Sequence, residues 1–433
     1  MPPLRYVYFA ELMDITDYRD GEKDGIDYAT LITQYGSPLF IVSERELLRD
    51  FTELNRALRS AYPDSELAYS LKTNYLPKIC AVLQEHGSTA EVVSEFEYML
   101  ARRVGYPADR IIFNGPNKSR RALELSVENQ GRIHVDSREE LEELKEIART
   151  NKQPVTIALR LSSTRIANLV RNAGSRGLFE RFGFNIENGE AAAACRLVAE
   201  SGGMLRILGY HMHIASNIFD PAIFSEATRT VVSFAEEHKS LYDITPHYID
   251  MGGGFPVRDT DTILSTRPTL HDFMRAISTE LQKTSLLPRP KLIVEPGRSI
   301  VSRSTTLVMS VLSVRERNRM PLVTVDGSLS ILPTISFRKH PIHTVLPTVS
   351  PRTETVVVGA SCIGRGDVFG THMLPTMKRG DVLVVQDCGA YSLSRSSQFI
   401  YPRPPVLWRS VAGEISIVRE RESFDDLTRL DRF

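Results

Sequence analysis

The chain has no surplus of either charge. Fifty-three lysines and arginines balance 53 aspartates and glutamates over 433 residues. No global field therefore favours nucleic acid or an anionic membrane, and neither is expected as a partner. Cysteine is scarce: Cys80, Cys195, Cys362 and Cys388 stand without regular spacing, which excludes a disulfide framework and a zinc cluster. No apolar run approaches the ~18 residues of a membrane span. The opening "MPPLRYVYFAELMD" carries acidic residues and no small-residue cleavage site, unlike a secretion signal. Repeats and low-complexity linkers are missing too. These absences leave a cytoplasmic, globular protein with room for two cores.

Short β-branched runs alternate with helical periodicity between residues 66 and 300. The runs are "ELAYSLK", "AEVVS", "RIIFNG", "RIHVDS", "VTIALRLS", "ILGYHMHIAS", "HYIDMGGG" and "KLIVEPG". Between them, stretches such as "LPKICAVLQEH" and "REELEELKEIART" have the apolar spacing of amphipathic helices. Strand–helix alternation of this length predicts a parallel (β/α)₈ barrel of the TIM-like kind. From about 303 onward "TTLVMSVLSV", "MPLVTVDG", "TETVVVGAS", "DVLVVQDCGAY" and "EISIVRE" are strands without long helical spacers. They predict a mostly antiparallel β-domain. The expected division is a segment 1–43 whose "SPLFIVSE" joins the β-domain, a barrel over 44–302, and the β-domain over 303–433.

Chemistry in such a barrel gathers at the C-terminal ends of the strands. There the first strand ends "SLKTN", carrying the amine of Lys72, and the sixth ends "HMHIAS". The seventh ends "DMGGGFP" and the eighth "EPGRSIV". Glycines after strands seven and eight let bare backbone N–H groups approach a phosphate. A phosphate-bearing cofactor condensed with a lysine fits this set. Pyridoxal 5'-phosphate is expected, with Lys72 as its attachment, the glycines for its phosphate and a carboxylate at its pyridine nitrogen.

In order along the chain, "YSLKTN", "HMHIAS", "GGGFP", "EPGR", "SCIGRGD" and "CGAY" resemble the fold-type III pyridoxal-phosphate decarboxylases. That group holds diaminopimelate, ornithine and arginine decarboxylases, and the resemblance spans nearly the whole chain. It implies the barrel of the alanine racemases with a β-domain appended, and a homodimer with shared active sites. By motif, Lys72 resembles the lysine that holds the cofactor and His213 the ring stacked on its face. Ser216, Gly253, Gly254, Gly297 and Tyr391 resemble the phosphate ligands. Arg298 stands beside them or at the substrate carboxylate, where Tyr391 also reaches. Glu295 resembles the carboxylate that keeps the pyridine nitrogen protonated, which favours decarboxylation over racemisation. Cys362 resembles a residue inserted by the neighbouring subunit, and as a thiol it can return a proton to the substrate carbon.

Two departures bear on the substrate. Diaminopimelate decarboxylases carry Glu after that cysteine and ornithine decarboxylases Asp. Here the position is Ile363, and the loop runs one residue longer to Asp367, with Arg365 as a new charge. The stretch "DGSLSILPTIS" also lacks the arginine that diaminopimelate enzymes use for the distal carboxylate. The expectation is an amino acid, free or carrier-bound, decarboxylated in a specialised antibiotic- or siderophore-type pathway rather than in lysine synthesis. Ile363, Arg365 and Asp367 are then the distal substrate residues. The alternative within the family is diaminopimelate decarboxylase proper. From another class comes a barrel metallohydrolase using His211 and His213, two apart on one strand face, with His134 and Asp136 in support. A catalytically dead homologue is disfavoured, because Lys72, Glu295 and Cys362 are all present.

Overall fold

The eight runs form strands because each is nearly continuous in apolar residues and buried on both faces, as parallel strands require. Ile111–Phe113, Thr89–Val92 and Val294 with its neighbours are examples. The computed structural model describes residues 22–23, 25–173, 181–257, 268–345, 351–364 and 366–432. In it the strands Ser65–Ser70, Thr89–Val92, Ile111–Phe113, Arg132–Val135, Val155–Ser162, Leu205–His211, Tyr248–Asp250 and Lys291–Val294 pair in parallel. The last of them pairs back onto the first and closes the barrel. The two-residue strand Phe184–Asn185 hangs from the fifth.

Serine starts many of the intervening helices. The side chains of Ser94, Ser119, Ser137 and Ser163 each accept the amide three residues on. That bond satisfies an otherwise orphaned donor of the first turn, worth about 1 kcal/mol per cap. Inside the barrel, Ala68, Ile112, Ala158, Tyr248 and Ile293 form a small apolar floor. Above it the strand ends turn polar: Ser70, Glu91, Asn114, His134, His211, Asp250 and Glu295 are all buried. The fold thus places a desolvated polar layer at the barrel mouth, where electrostatic contacts are strongest.

The second sheet is built around Thr305–Arg317, a 13-residue strand. Its first half pairs antiparallel with Leu39–Ser43 and Val382–Val385, and its second half with Met320–Val325. Leu39–Ser43 also runs parallel to Val406–Arg409. The chain before the barrel therefore supplies a central strand to the sheet that follows it. Three strands were absent from the sequence expectation: Ile342–Thr344, Val368–Pro375 and Val406–Arg409. The first and third have three and four residues, and the second contains glycine and ends in proline. Local pattern is weak in such segments, and neighbouring strands decide them. Among the described residues no helix is long and apolar enough to cross a membrane.

Candidate active site

Lys72 leaves the first barrel strand on the short 3₁₀ turn Leu71–Thr73. Its Nζ lies 2.6 Å from Glu91 Oε2, which also accepts the Ser70 hydroxyl at 2.5 Å. Burial works against the ammonium, but the charges of Glu91 and then Glu295 outweigh it and hold the amine above the ordinary lysine range. The side chain keeps 40% exposure, so the amine remains open to the cleft. Asn114 Nδ2 joins the two carboxylates, donating to Glu295 Oε1 at 2.6 Å and to Glu91 Oε1 at 3.2 Å. One amide thereby fixes the acid beside the lysine and the acid across the barrel.

Glu295 Oε2 lies 3.4 Å from His211 Nε2, without the alignment of a hydrogen bond. Burial depresses both His211 and His134 well below the usual imidazole range, so both are neutral. Asp250 Oδ1 accepts the Gly252 amide at 2.8 Å, while its Oδ2 has no partner. Burial and then the Glu295 charge push the Asp250 carboxyl well above the usual range, which favours its protonated form. His213 sits just past its strand and accepts the Gly253 amide on Nδ1 at 3.2 Å. Burial, helped by Lys72, pulls its pKa down to about 3, so a flat neutral ring faces the cleft wall.

The strand-end glycines tolerate no side chain. A Cβ at Gly254, whose φ is +96°, would lie 2.0 Å from the Ala215 carbonyl, and one at Gly253 2.3 Å from that of Glu295. At Gly297 it would strike the Thr73 hydroxyl at 2.0 Å. Arg298 lies 5.0 Å over the Tyr391 ring, and Ser216 is exposed beside the glycine turn. Bare backbone, two hydroxyls, a guanidinium, a reachable lysine and unpartnered buried atoms at Thr73, His211 and Asp250 suit a phosphate-bearing aromatic aldehyde. The residues present fit pyridoxal phosphate.

The β-domain meets this mouth through residues 389–394. Tyr391 N donates to Thr73 O at 2.8 Å, Ser394 Oγ to the same carbonyl at 3.0 Å, and Asn74 Nδ2 to Gly389 O at 2.9 Å. "CGAY" is therefore pinned on the Lys72 turn of its own chain. Cys362 is different: its thiol is exposed, and the hydrogen bonds of its loop stay within the β-domain. Asp367, expected at the substrate, ties Leu329 to the Cys362 loop. It is buried, Oδ1 accepts the Leu329 amide at 2.7 Å, and Oδ2 the Ser361 amide at 2.9 Å. Ile363 donates its amide to Ser361 Oγ at 3.4 Å, and Arg365 lies outside the described residues.

The sequence reasoning missed Glu91 and Asn114. Asn114 carried a signal, as a polar residue closing the apolar run "IIFN", whereas Glu91 stands inside its run, "AEVV". The metallohydrolase geometry also fails. The buried trio with ligand atoms within 4.8 Å is His134, His211 and Glu295, not His211 with His213. Asp136 is occupied by Arg160 at 3.0 Å.

Fold and site together define a pyridoxal-dependent enzyme on a (β/α)₈ barrel. Residues 48–302 match the pyridoxal binding domain of the pyridoxal-dependent decarboxylases, and the chain belongs to that family. Its cofactor is pyridoxal phosphate and its reaction class is amino-acid decarboxylation. The diaminopimelate decarboxylase of Methanothermobacter thermautotrophicus is 31% identical over 414 residues, 94% of each chain. That of Bacillus subtilis is 29% identical over 418 residues, 95% of this chain and 94% of that one. The crystal structure of the M. jannaschii diaminopimelate decarboxylase in complex with L-lysine superposes with a TM-score of 0.87 at 26% identity. It covers 97% of this chain and 98% of that one. These relatives overturn the expected specialised pathway and the metallohydrolase alternative alike. Two local departures, Ile363 and the arginine missing from "DGSLSILPTIS", weigh less than similarity to diaminopimelate enzymes along almost the entire chain.

Proposed function

We propose that the chain decarboxylates free diaminopimelate, releasing carbon dioxide and lysine, as a homodimer with shared sites. The observation that carries this reading is the near full-length similarity to diaminopimelate decarboxylases. Bound pyridoxal phosphate supplies the electron sink for the pair left on carbon when the carboxylate departs. Lys72 is the residue that bonds the cofactor, and Glu91, hydrogen-bonded to its Nζ, is the base positioned to take the proton the amine must shed. Glu295, held by Asn114, keeps a proton at the pyridine nitrogen. His213 offers its neutral ring as a stacking face. Gly253, Gly254, Gly297, Ser216, Tyr391 and Arg298 hold the phosphate. Cys362, exposed on a self-contained loop, reaches the partner's site and donates the proton to Cα.

The test is carbon dioxide and lysine release from diaminopimelate by the purified, cofactor-loaded protein. Lys72→Ala should abolish it, and borohydride should fix the cofactor to Lys72 in the unaltered chain. Release from a different amino acid but not from diaminopimelate would end the substrate assignment while leaving the family intact.

A further inference from the structure

The reaction proposed above gives no task to two buried histidines at its centre. His134 lies in the fourth barrel strand and His211 ends the sixth, at 0% and 1% exposure. Their ring centroids are 5.0 Å apart. Among the described residues neither nitrogen of His211 has a hydrogen-bond partner, nor has His134 Nδ1. Buried polar atoms are seldom left unpaired, and three in one pair of rings call for a ligand.

Glu295 completes the cluster. One ligand atom from each of His134, His211 and Glu295 lies within 4.8 Å of the other two. His211 Nε2 and Glu295 Oε2 are 3.4 Å apart, without the alignment of a hydrogen bond. Around a tetrahedral zinc ion with bonds of about 2.0–2.2 Å, ligand atoms stand roughly 3.3–3.6 Å from one another. This pair has that spacing already, and three protein ligands with a water make a full set. The ligands are also oriented from outside. His134 Nε2 lies 3.1 Å from the Tyr248 hydroxyl, and Asn114 Nδ2 donates to Glu295 Oε1 at 2.6 Å. Outer partners of this kind fix the ring and the carboxylate of metal ligands.

We propose that the cofactor-free protein binds a divalent cation of the zinc class through His134, His211 and Glu295, and that this cation and pyridoxal phosphate exclude one another. Two imidazoles and one carboxylate suit zinc or cobalt, whereas magnesium and calcium take oxygen ligands. The exclusion rests on the placement of Glu295 at the pyridine nitrogen proposed above. A dication on Glu295 neutralises the charge that holds the ring proton and repels the protonated ring. The cation is a competitor for the site, with no part in bond cleavage.

The test uses metal content and cofactor uptake. Protein stripped of cofactor with hydroxylamine, loaded with zinc and dialysed against metal-free buffer, should retain one zinc per chain. Cobalt in its place should give the visible absorption of a four-coordinate ion. Uptake of pyridoxal phosphate, followed by its absorbance, should slow about tenfold or more after zinc and recover on chelation. Magnesium and calcium should do nothing. Tyr248→Phe, which removes only an outer partner, should weaken zinc binding about 10- to 100-fold, and His134→Ala and His211→Ala more. Cys362→Ser, which removes the exposed thiol, should retain the metal. No stoichiometric zinc on the unaltered apo-protein would overturn the proposal, as would undiminished zinc in the histidine variants. Zinc that binds without slowing cofactor uptake would overturn the exclusion. Turnover of diaminopimelate is not among these readouts, so failure here leaves the proposed reaction standing.

Discussion

The barrel mouth and the Cys362 loop contribute to one proposed site but are built in opposite ways. At the mouth, Ser70, Lys72, Asn114 and Glu295 are joined into a single network, the first three through Glu91 and Glu295 through Asn114. In the loop, Asp367 satisfies its neighbours' amides, and the thiol stands exposed with no bond to the barrel. Groups that manage the cofactor's charge are preorganised in a dry layer, where dipoles fixed in advance act most strongly. The thiol proposed to return a proton is presented on a loop that Asp367 ties to Leu329 and Ser361. The first region is joined by hydrogen bonds within one chain; the second, in the function proposed above, acts across a dimer.

The sharpest way to break this contrast is to mix two inactive variants, Lys72→Ala and Cys362→Ala. If the thiol crosses to the partner, each mixed dimer holds one intact site, and activity should return from near zero to about a quarter of the unaltered rate. No recovery despite verified subunit exchange would place both groups on one chain. The next largest effect concerns the mouth alone. Glu295→Gln should keep cofactor absorbance yet lose roughly 10²–10⁴-fold in kcat, because an amide cannot hold the ring proton. Unchanged turnover would mean another group does so.

Smaller effects probe the edges. Ile363→Glu should lower KM for diaminopimelate about tenfold, since the loop then offers its distal ammonium a charged partner. The pH dependence of stability separates the two domains. In the barrel, burial and then Glu91 raise Glu97 to about 7, and its Oε2 accepts the Val93 amide at 2.8 Å. The folded pKa exceeds the unfolded one, so stability is full below pH ~4.5 and declines as pH rises through 7. In the β-domain, burial lowers His340 to about 4, between Thr334 and Gln386. Its contribution is present above pH ~6.5 and lost as pH falls through 4. Denaturant titrations should therefore show Glu97→Gln flattening the alkaline limb and His340→Gln the acid limb. Exchange of those two outcomes would refute the assignment.

The barrel was legible because its signals are local: an apolar run ends, and a lysine, a glycine turn or Glu-Pro-Gly follows. Lys72, Gly253, Gly254 and Glu295 could be named from such punctuation. Asn114 offered the same punctuation in "IIFN", but Glu91, inside its run, did not, and the roles of both depend on which strands lie side by side. The direction of the Asp367 carboxylate was illegible for a related reason. Whether an acid faces inward or outward on a loop depends on Leu329, which approaches from an earlier segment. The substrate inference failed because two positions, Ile363 and the one missing arginine, were asked to speak for a whole binding site.

Leu39–Ser43 lies between Thr305–Arg317 and Val406–Arg409 in the β-sheet. During synthesis this strand leaves the ribosome before the barrel, yet both of its neighbours come after. At ordinary elongation rates it waits on the order of tens of seconds, with an apolar edge and no partner. The barrel, whose contacts run mostly between consecutive strands, can close in that interval. The β-domain is begun first and finished last, so a stalled or truncated chain yields a formed barrel trailing an unpaired strand, a ready seed for aggregation.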